Sequence, residues 1–350
     1  MIFAGIGNVH RVSHCIHRHV IVSKSEFNLL LAAANLPQKL ARMNFPLLPL
    51  ASLDAVWFQV GGTLCNLRCQ HCFISCSPEN HALEMMSFEQ FAPQLGEAVG
   101  LGAKEYYFTG GEPFINGDIF RILEAALAVG PVTVLTNGTR FTGEKVAQLA
   151  ALRDASPYSL ELRVSIDGFS PETNDPIRGE GVFERAMAGV QMLVAHDFLP
   201  IITAMRSWPI AEDEIHLAGF RQRLAEIGCT KPRLKLLPSL KIGQEVLRDH
   251  GYGQFDFLTE EMMNGYDVSQ LLCHNSRVVS ASGVHVCPIL VDRPDARLGA
   301  TLRKGMRPYQ LRHQACSTCY TFGALCSNAT GQGLEQSRLA RVGVSGAVTR

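Results

Sequence analysis

Cys65, Cys69 and Cys72 stand in C-x3-C-x2-C spacing, three thiols within the eight residues from Cys65 to Cys72. Thiolates gathered this closely suit a soft, thiophilic metal or an iron–sulfur cluster. A cubane cluster has four irons, so three cysteines leave one iron without a protein ligand. An open iron is a place for chemistry, as an open zinc position marks a catalytic site. The competing reading is a zinc loop. Zinc sites usually pair two C-x2-C knuckles, and no fourth ligand follows at that spacing, although His71 and Cys76 are near.

A second group of cysteines lies in the carboxyl-terminal region. Cys273 and Cys287 flank Ser282-Gly283-Val284-His285-Val286, which reads as a hairpin edge; Cys316-Ser317-Thr318-Cys319 and Cys326 follow. These residues suit either a four-cysteine structural zinc or a further iron–sulfur cluster. The other cysteines, Cys15, Cys76 and Cys229, stand apart and read as small buried hydrophobes. Cys76, beside the first group, has a second reading as a hydrogen-atom donor.

The first three cysteines must be carried by a strand end. Ala55-Val56-Trp57-Phe58-Gln59-Val60 is a buried strand by its aromatic and β-branched content, and Gly61-Gly62-Thr63 ends it. Further strands centre on Tyr107, Val134, Val164, Ile202 and Leu236, with helical patterns between them. Ser87-Phe88-Glu89-Gln90 is a capping box, Asp118 and Thr142 open two more helices, and Glu180–Val194 and Glu212–Ile227 give another two. Six strands alternating with helices imply an α/β fold with a parallel sheet, an open partial (β/α)6 barrel in the manner of a TIM barrel. Its ligand-binding end is the carboxyl end of the strands, where the cysteine loop lies.

The other strands deliver polar residues to that same end. Tyr107-Phe108-Thr109 runs into Gly110-Gly111-Glu112-Pro113; the glycines allow close backbone approach to a ligand, and the carboxylate can accept from an ammonium group. The next two strands end in Thr136-Asn137-Gly138 and Ser165-Ile166-Asp167-Gly168. Ser165 and Asp167 share a strand face and suit ribose hydroxyls or an amino group, unless they merely cap the strand. The domain reading is an amino-terminal extension over 1–50, the barrel over 51–240, a small cysteine-rich domain over 241–334 and a tail over 335–350. Ser25–Ala34 reads as a helix within the extension.

Composition narrows the function classes. The 350-residue chain has 47% hydrophobic residues, enough for a large core, and 32 basic against 32 acidic residues. Zero formal charge argues against a general nucleic-acid or membrane-surface binder. No apolar run reaches the ~18 residues of a membrane span. The expected compartment is the cytoplasm, where clustered cysteines are ligands or free thiols rather than disulfides.

Taken together, Cys65, Cys69 and Cys72, the Gly110-Gly111-Glu112 turn, Thr136-Asn137-Gly138 and Ser165-Ile166-Asp167-Gly168 resemble the radical S-adenosylmethionine superfamily. The resemblance covers about residues 54–240. One departure is His71, where many members place an aromatic residue; Phe73 is the substitute for the apolar wall beside the adenine. The resemblance implies a [4Fe–4S] cluster on the three cysteines, with S-adenosylmethionine on its open iron. It also implies that Gly110, Gly111 and Glu112 hold the cosubstrate's amino group. Asn137, Ser165 and Asp167 would line the rest, Arg178 would meet the carboxylate, and Thr203 and Ala204 would pack near the adenine. The later cysteines resemble a twitch or SPASM extension, which implies an auxiliary [4Fe–4S] cluster on Cys273, Cys287, Cys316 and Cys319, with Cys326 as a possible replacement ligand.

The expected function is reductive cleavage of S-adenosylmethionine and hydrogen abstraction from a small molecule or a peptide, with the auxiliary cluster as electron relay. The expected partner is an external one-electron reductant of flavodoxin or ferredoxin type. The alternatives are a peptide maturase forming crosslinks or epimers and, more remotely, a non-catalytic iron–sulfur or zinc-held protein.

Overall fold

In the computed structural model, residues 44–323, 325 and 328 are described. The Ser25–Ala34 helix, Cys15, Cys326 and the 335–350 tail lie outside the described residues, as does the extension up to residue 43.

The strands are β1 (Leu47–Leu48), β2 (Ala55–Gln59), β3 (Glu105–Thr109), β4 (Val132–Thr136), β5 (Leu160–Ser165), β6 (Ile201–Met205), β7 (Arg233–Leu237), β8 (Ser276–Ser280), β9 (Gly283–His285), β10 (Arg297–Gly299) and β11 (Tyr309–Gln310). The helices are α1 (Phe88–Gly100), α2 (Ile119–Leu127), α3 (Gly143–Ala155), α4 (Pro171–Arg178), α5 (Val182–Ala195), α6 (Asp213–Glu226), α7 (Val246–Asp249), α8 (Leu302–Gly305) and α9 (Ala315–Phe322). The six expected strands are β2 to β7, hydrogen-bonded in chain order and parallel throughout. The short helix α4 was not foreseen; Pro171 at its first turn and Pro176 inside it obscure the pattern.

The sheet alternates. Val56, Phe58, Tyr106, Phe108, Val132, Val134, Leu162, Val164 and Ile202 face the helices and join Phe91, Ile122, Leu123, Val146 and Val190 in the main core. Ala55, Trp57, Tyr107 and Val278 face the other way and pack with Cys65, Leu67, Ile74 and Cys76 of the cysteine loop. Trp57 and Tyr107 are paired across β2 and β3, their rings stacked at 4.3 Å. Ser87 caps α1 in the expected reciprocal box, an arrangement worth about 1 kcal/mol.

The sheet does not stop at residue 240. β8 lies parallel beside β2, and β9 and β10 extend it antiparallel, giving nine strands in the order β10-β9-β8-β2-β3-β4-β5-β6-β7. The hairpin around Ser282 is therefore part of the main sheet. The physical reason is β8: Ser276–Ser280 is buried throughout and fills the edge that β2 would otherwise leave open. Beyond it, a separate core of Leu240, Leu258, Leu271, Val286, Ile289, Leu290, Leu311 and Ala315 gathers the carboxyl-terminal segments. Among the described residues no helix is long and apolar enough to cross a membrane.

Candidate iron–sulfur and cosubstrate site

The loop after β2 carries Cys65, Cys69 and Cys72 and is held from several strand ends. Gly111 N–H donates to the Gly62 carbonyl at 2.9 Å, and Glu112 N–H to the Leu64 carbonyl at 3.0 Å. A Cβ at Gly111 would lie 1.9 Å from the Leu64 oxygen, and one at Gly110, at φ +141°, would lie 2.6 Å from the Gly61 nitrogen. The glycine pair thus makes room for the neighbouring cysteine loop. Close approach was expected, but its partner here is the chain's own backbone.

Glu112 also differs from expectation. Its carboxylate is fully buried and accepts from Phe114 N–H (3.0 Å), Thr136 Oγ1 (2.7 Å) and Asn137 N–H (2.8 Å). It ties the β3 turn to the end of β4. Burial raises its pKa against these donors. Asn137, expected among the cosubstrate contacts, turns its Nδ2 to the Asn66 oxygen at 3.0 Å and to Cys65 Sγ at 3.7 Å.

Asp167 binds the site's charges together. It is buried at the end of β5, ion-paired with Arg178 Nε at 2.6 Å and hydrogen-bonded with His71 Nε2, and it accepts from Met205 N–H at 2.7 Å. Burial alone would raise its pKa, but Arg178 and then His71 outweigh burial and hold it well below the usual carboxylate range. Asp167 was expected to touch the cosubstrate; it is occupied instead in orienting Arg178 and His71. Arg178 is buried beside Cys69 and Cys65. His71, the departure from the family pattern, is explained by this partner, while its Nδ1 is buried without a hydrogen bond among the described residues. Ser165 is half-buried at the end of β5. Thr203 shares its inner face, but Ala204 packs into the helix-facing core, since neighbouring strand residues point oppositely.

The three thiols fit a cluster by chemistry. Leu67 N–H and Asn137 Nδ2 point at Cys65 Sγ, and Cys76 N–H donates to Cys72 Sγ at 3.1 Å; donors aimed at sulfur suit a negatively charged cluster. Burial pushes Cys65 up to about 12 and Cys69 up to about 11, each raised further by its neighbouring thiols. The hydrogen bond with the Cys76 thiol lowers Cys72 to about 6 and raises Cys76. Cys76 is buried, as is Cys229 in the main core.

Cys273, Cys287 and the pair Cys316 and Cys319 of α9 come together from three segments to line one pocket, walled by Leu271, Leu272, Ile289, Leu290, Leu311 and Ala315. Nearby, the Tyr309 hydroxyl is buried without a hydrogen bond among the described residues, close enough to Cys316 and Cys287 to feel their charge. An apolar cage with four thiols and a spare donor fits a cluster. Among the described residues no three His, Cys, Asp or Glu side chains could hold a single metal ion; a cubane instead takes thiolates on separate irons around a cage.

Phe73, expected beside the adenine, packs between the cysteine loop and the carboxyl-terminal core. The sequence reading missed Gly243 and Gln244. Gln244 N–H donates to the Cys72 carbonyl at 2.9 Å, and a Cβ at Gly243 (φ +63°) would meet the Phe73 oxygen at 2.4 Å. The Ile242-Gly243-Gln244 stretch carries no periodic signal that would have marked it.

A family model described as Radical SAM superfamily matches residues 60–212. Among curated proteins, the chain is 36% identical over 136 residues to an AdoMet-dependent heme synthase of Methanosarcina barkeri, covering 38% of this chain and 37% of that one. It is 35% identical over 131 residues to the mycofactocin maturase MftC of Mycolicibacterium smegmatis, covering 37% of this chain and 31% of that one. The subtilosin biosynthesis protein AlbA of Bacillus subtilis is 30% identical over 166 residues, with 47% and 35% covered. The chain thus spans about a third of these relatives' length. Streptococcus suis SuiB bound to precursor peptide SuiA superposes with a TM-score of 0.51 at 16% identity, covering 83% of this chain and 70% of that one. The structure anSMEcpe with bound AdoMet gives 0.51 at 16% identity, covering 71% and 76%. At such identity the likeness is one of fold.

Proposed function

Since residues 60–212 match the Radical SAM superfamily model, we propose that this chain is a radical SAM enzyme that cleaves S-adenosylmethionine reductively and takes a hydrogen atom from its substrate. The observation that carries this reading is the C-x3-C-x2-C loop, held at the carboxyl ends of parallel strands with donors aimed at the sulfurs of Cys65 and Cys72. When bound, a [4Fe–4S] cluster and S-adenosylmethionine supply methionine and a 5′-deoxyadenosyl radical. The chain's residues do the holding. Cys65, Cys69 and Cys72 ligate three irons. Arg178, oriented by Asp167, meets the cosubstrate carboxylate. The backbone of Gly110 and Gly111 takes the amino group, with Glu112 bracing that turn from behind. Ser165 faces the sugar.

Cys273, Cys287, Cys316 and Cys319 hold an auxiliary [4Fe–4S] cluster in their shared cavity. Its role is that of an electron relay, taking up the electron that a substrate radical gives in a two-electron oxidation. The substrate is a small molecule or a peptide. The peptide form has support from the fold shared with a protein solved with its precursor peptide. The reductant is a flavodoxin or ferredoxin, and the compartment the cytoplasm.

The test is iron and sulfide content with EPR after anaerobic reconstitution, for the wild type and for a variant with Cys65, Cys69 and Cys72 all replaced by alanine. Two cubanes give about eight irons in the wild type and about four in the variant. With reductant and S-adenosylmethionine, only the wild type should form 5′-deoxyadenosine. A wild type that holds its first cluster and forms none, with or without candidate substrates, defeats the reading. Zinc in place of iron in the variant defeats the relay.

A further inference from the structure

Arg277 lies in β8, next to β2, and is fully buried. Its donors are spent on carbonyls alone: Nε on Gly305 (2.9 Å), Nη1 on Cys273 (2.8 Å) and Ser276 (2.7 Å), and Nη2 on Arg307 (2.8 Å). Carbonyl oxygens satisfy its hydrogen bonds but leave a whole positive charge in the interior. Among the described residues no carboxylate is paired with it. A buried cation without a countercharge is costly enough that a structure seldom carries one unmatched.

Two of the cavity's cysteines, Cys273 and Cys287, are the ionisable groups within electrostatic reach of it. The backbone of Cys273 is itself one of its hydrogen-bond partners. The cation is thus fastened to the segment that begins the four-cysteine cavity. As thiols, those cysteines are neutral and the charge is unmatched. As ligands of a cubane they are thiolates, and the cluster with its four thiolates is negative in both oxidation states, by one unit more when reduced.

We infer that Arg277 is the built-in countercharge of the auxiliary cluster, and that it raises the cluster's reduction potential by favouring the more negative, reduced form. The inference rests on the auxiliary-cluster reading above. It gives the relay a direction: a cluster biased toward reduction accepts an electron from a substrate radical more readily. Arg277 touches no substrate in this account and acts as a positioning and tuning residue.

The test uses the full chain with Cys65, Cys69 and Cys72 replaced by alanine, so that only the auxiliary cluster is read. Arg277→Gln removes the charge and keeps amide donors; Arg277→Lys keeps the charge and loses the fork. Each protein is reconstituted anaerobically, its iron and zinc counted, and its cluster titrated with redox dyes under EPR. With iron retained, Arg277→Gln should raise the oxidised-to-reduced ratio at fixed poise by about tenfold, a fall of about 59 mV for a one-electron couple, while Arg277→Lys stays near the parent. Iron lost from Arg277→Gln but kept by Arg277→Lys also supports the countercharge. An unchanged potential in an iron-replete Arg277→Gln overturns it, as does loss of iron from both variants, which would make the carbonyl contacts the residue's whole purpose. Zinc in the parent overturns the auxiliary-cluster reading itself, and metal content separates that result from the others.

Discussion

Replacing Asp167 by asparagine removes one charge from the centre of a buried network and changes almost nothing in shape. Asparagine keeps the acceptor that Met205 N–H uses at 2.7 Å. It cannot neutralise Arg178, which sits 2.6 Å from the carboxylate and is itself buried. Breaking a buried pair by removing one partner typically costs about 3–5 kcal/mol, because the remaining charge is stranded. Against a total stability of about 5–15 kcal/mol that is a large fraction. Arg178→Met should cost less, since Asp167 keeps His71 Nε2 and Met205 N–H as hydrogen-bond partners. The double variant should cost less than the sum of the two by at least about 1 kcal/mol. Urea denaturation of the metal-free, reduced chain reads all three. With a slope of about 3 kcal/mol/M, Asp167→Asn moves the midpoint down by about 1–1.7 M. A loss under about 1 kcal/mol, or strict additivity with Arg178→Met, would refute the claim that Asp167 carries the network.

The same residue sets a pH dependence. A carboxyl held below its unfolded value stabilises fully above that value, about 3.9, and loses its contribution as pH falls through the folded one. The stability gap between wild type and Asp167→Asn should therefore be flat above about pH 5 and narrow below about pH 4; urea midpoints from pH 7 to 3 measure it, and a gap unchanged down to pH 3 contradicts the sign. Gly111→Ala puts a Cβ 1.9 Å from a backbone oxygen of the cysteine loop. Since backbone cannot step aside as a side chain can, the cost should reach or exceed about 3 kcal/mol, and reconstituted iron should fall from about eight toward about four.

Much of this was legible in the sequence because its signals are local. The strands around Phe58, Tyr107, Val134, Val164, Ile202 and Leu236 announce themselves by composition, and Ser87 with Gln90 marks a helix start by hydrogen-bonding chemistry alone. The four later cysteines were grouped by type and spacing, and one cavity holds them. Partner choice was not legible. Glu112 and Asp167 read as acids available to a ligand, yet both are buried and occupied by the chain's own donors. Nothing local distinguishes a carboxylate that waits for a ligand from one that braces the residues around it. The edge pairing of β8 with β2 was equally hidden, since it joins segments more than two hundred residues apart and depends on which edge the open sheet leaves free.

Those occupied groups change how the site works as an object. The cysteine loop hangs from β2 yet is pinned by the β3 turn through Gly111 and Glu112, by the β4 end through Asn137, and by the β5 end through Asp167 and His71. A further pin comes from beyond the barrel. Gln244 donates to the Cys72 carbonyl, Gly243 has no room to spare against the Phe73 carbonyl, and the Phe73 ring packs into the core that also holds Cys273, Cys287, Cys316 and Cys319. The cysteine loop and the core that holds the four later cysteines therefore share one packed side chain, Phe73, and one backbone hydrogen bond, from Gln244 to Cys72.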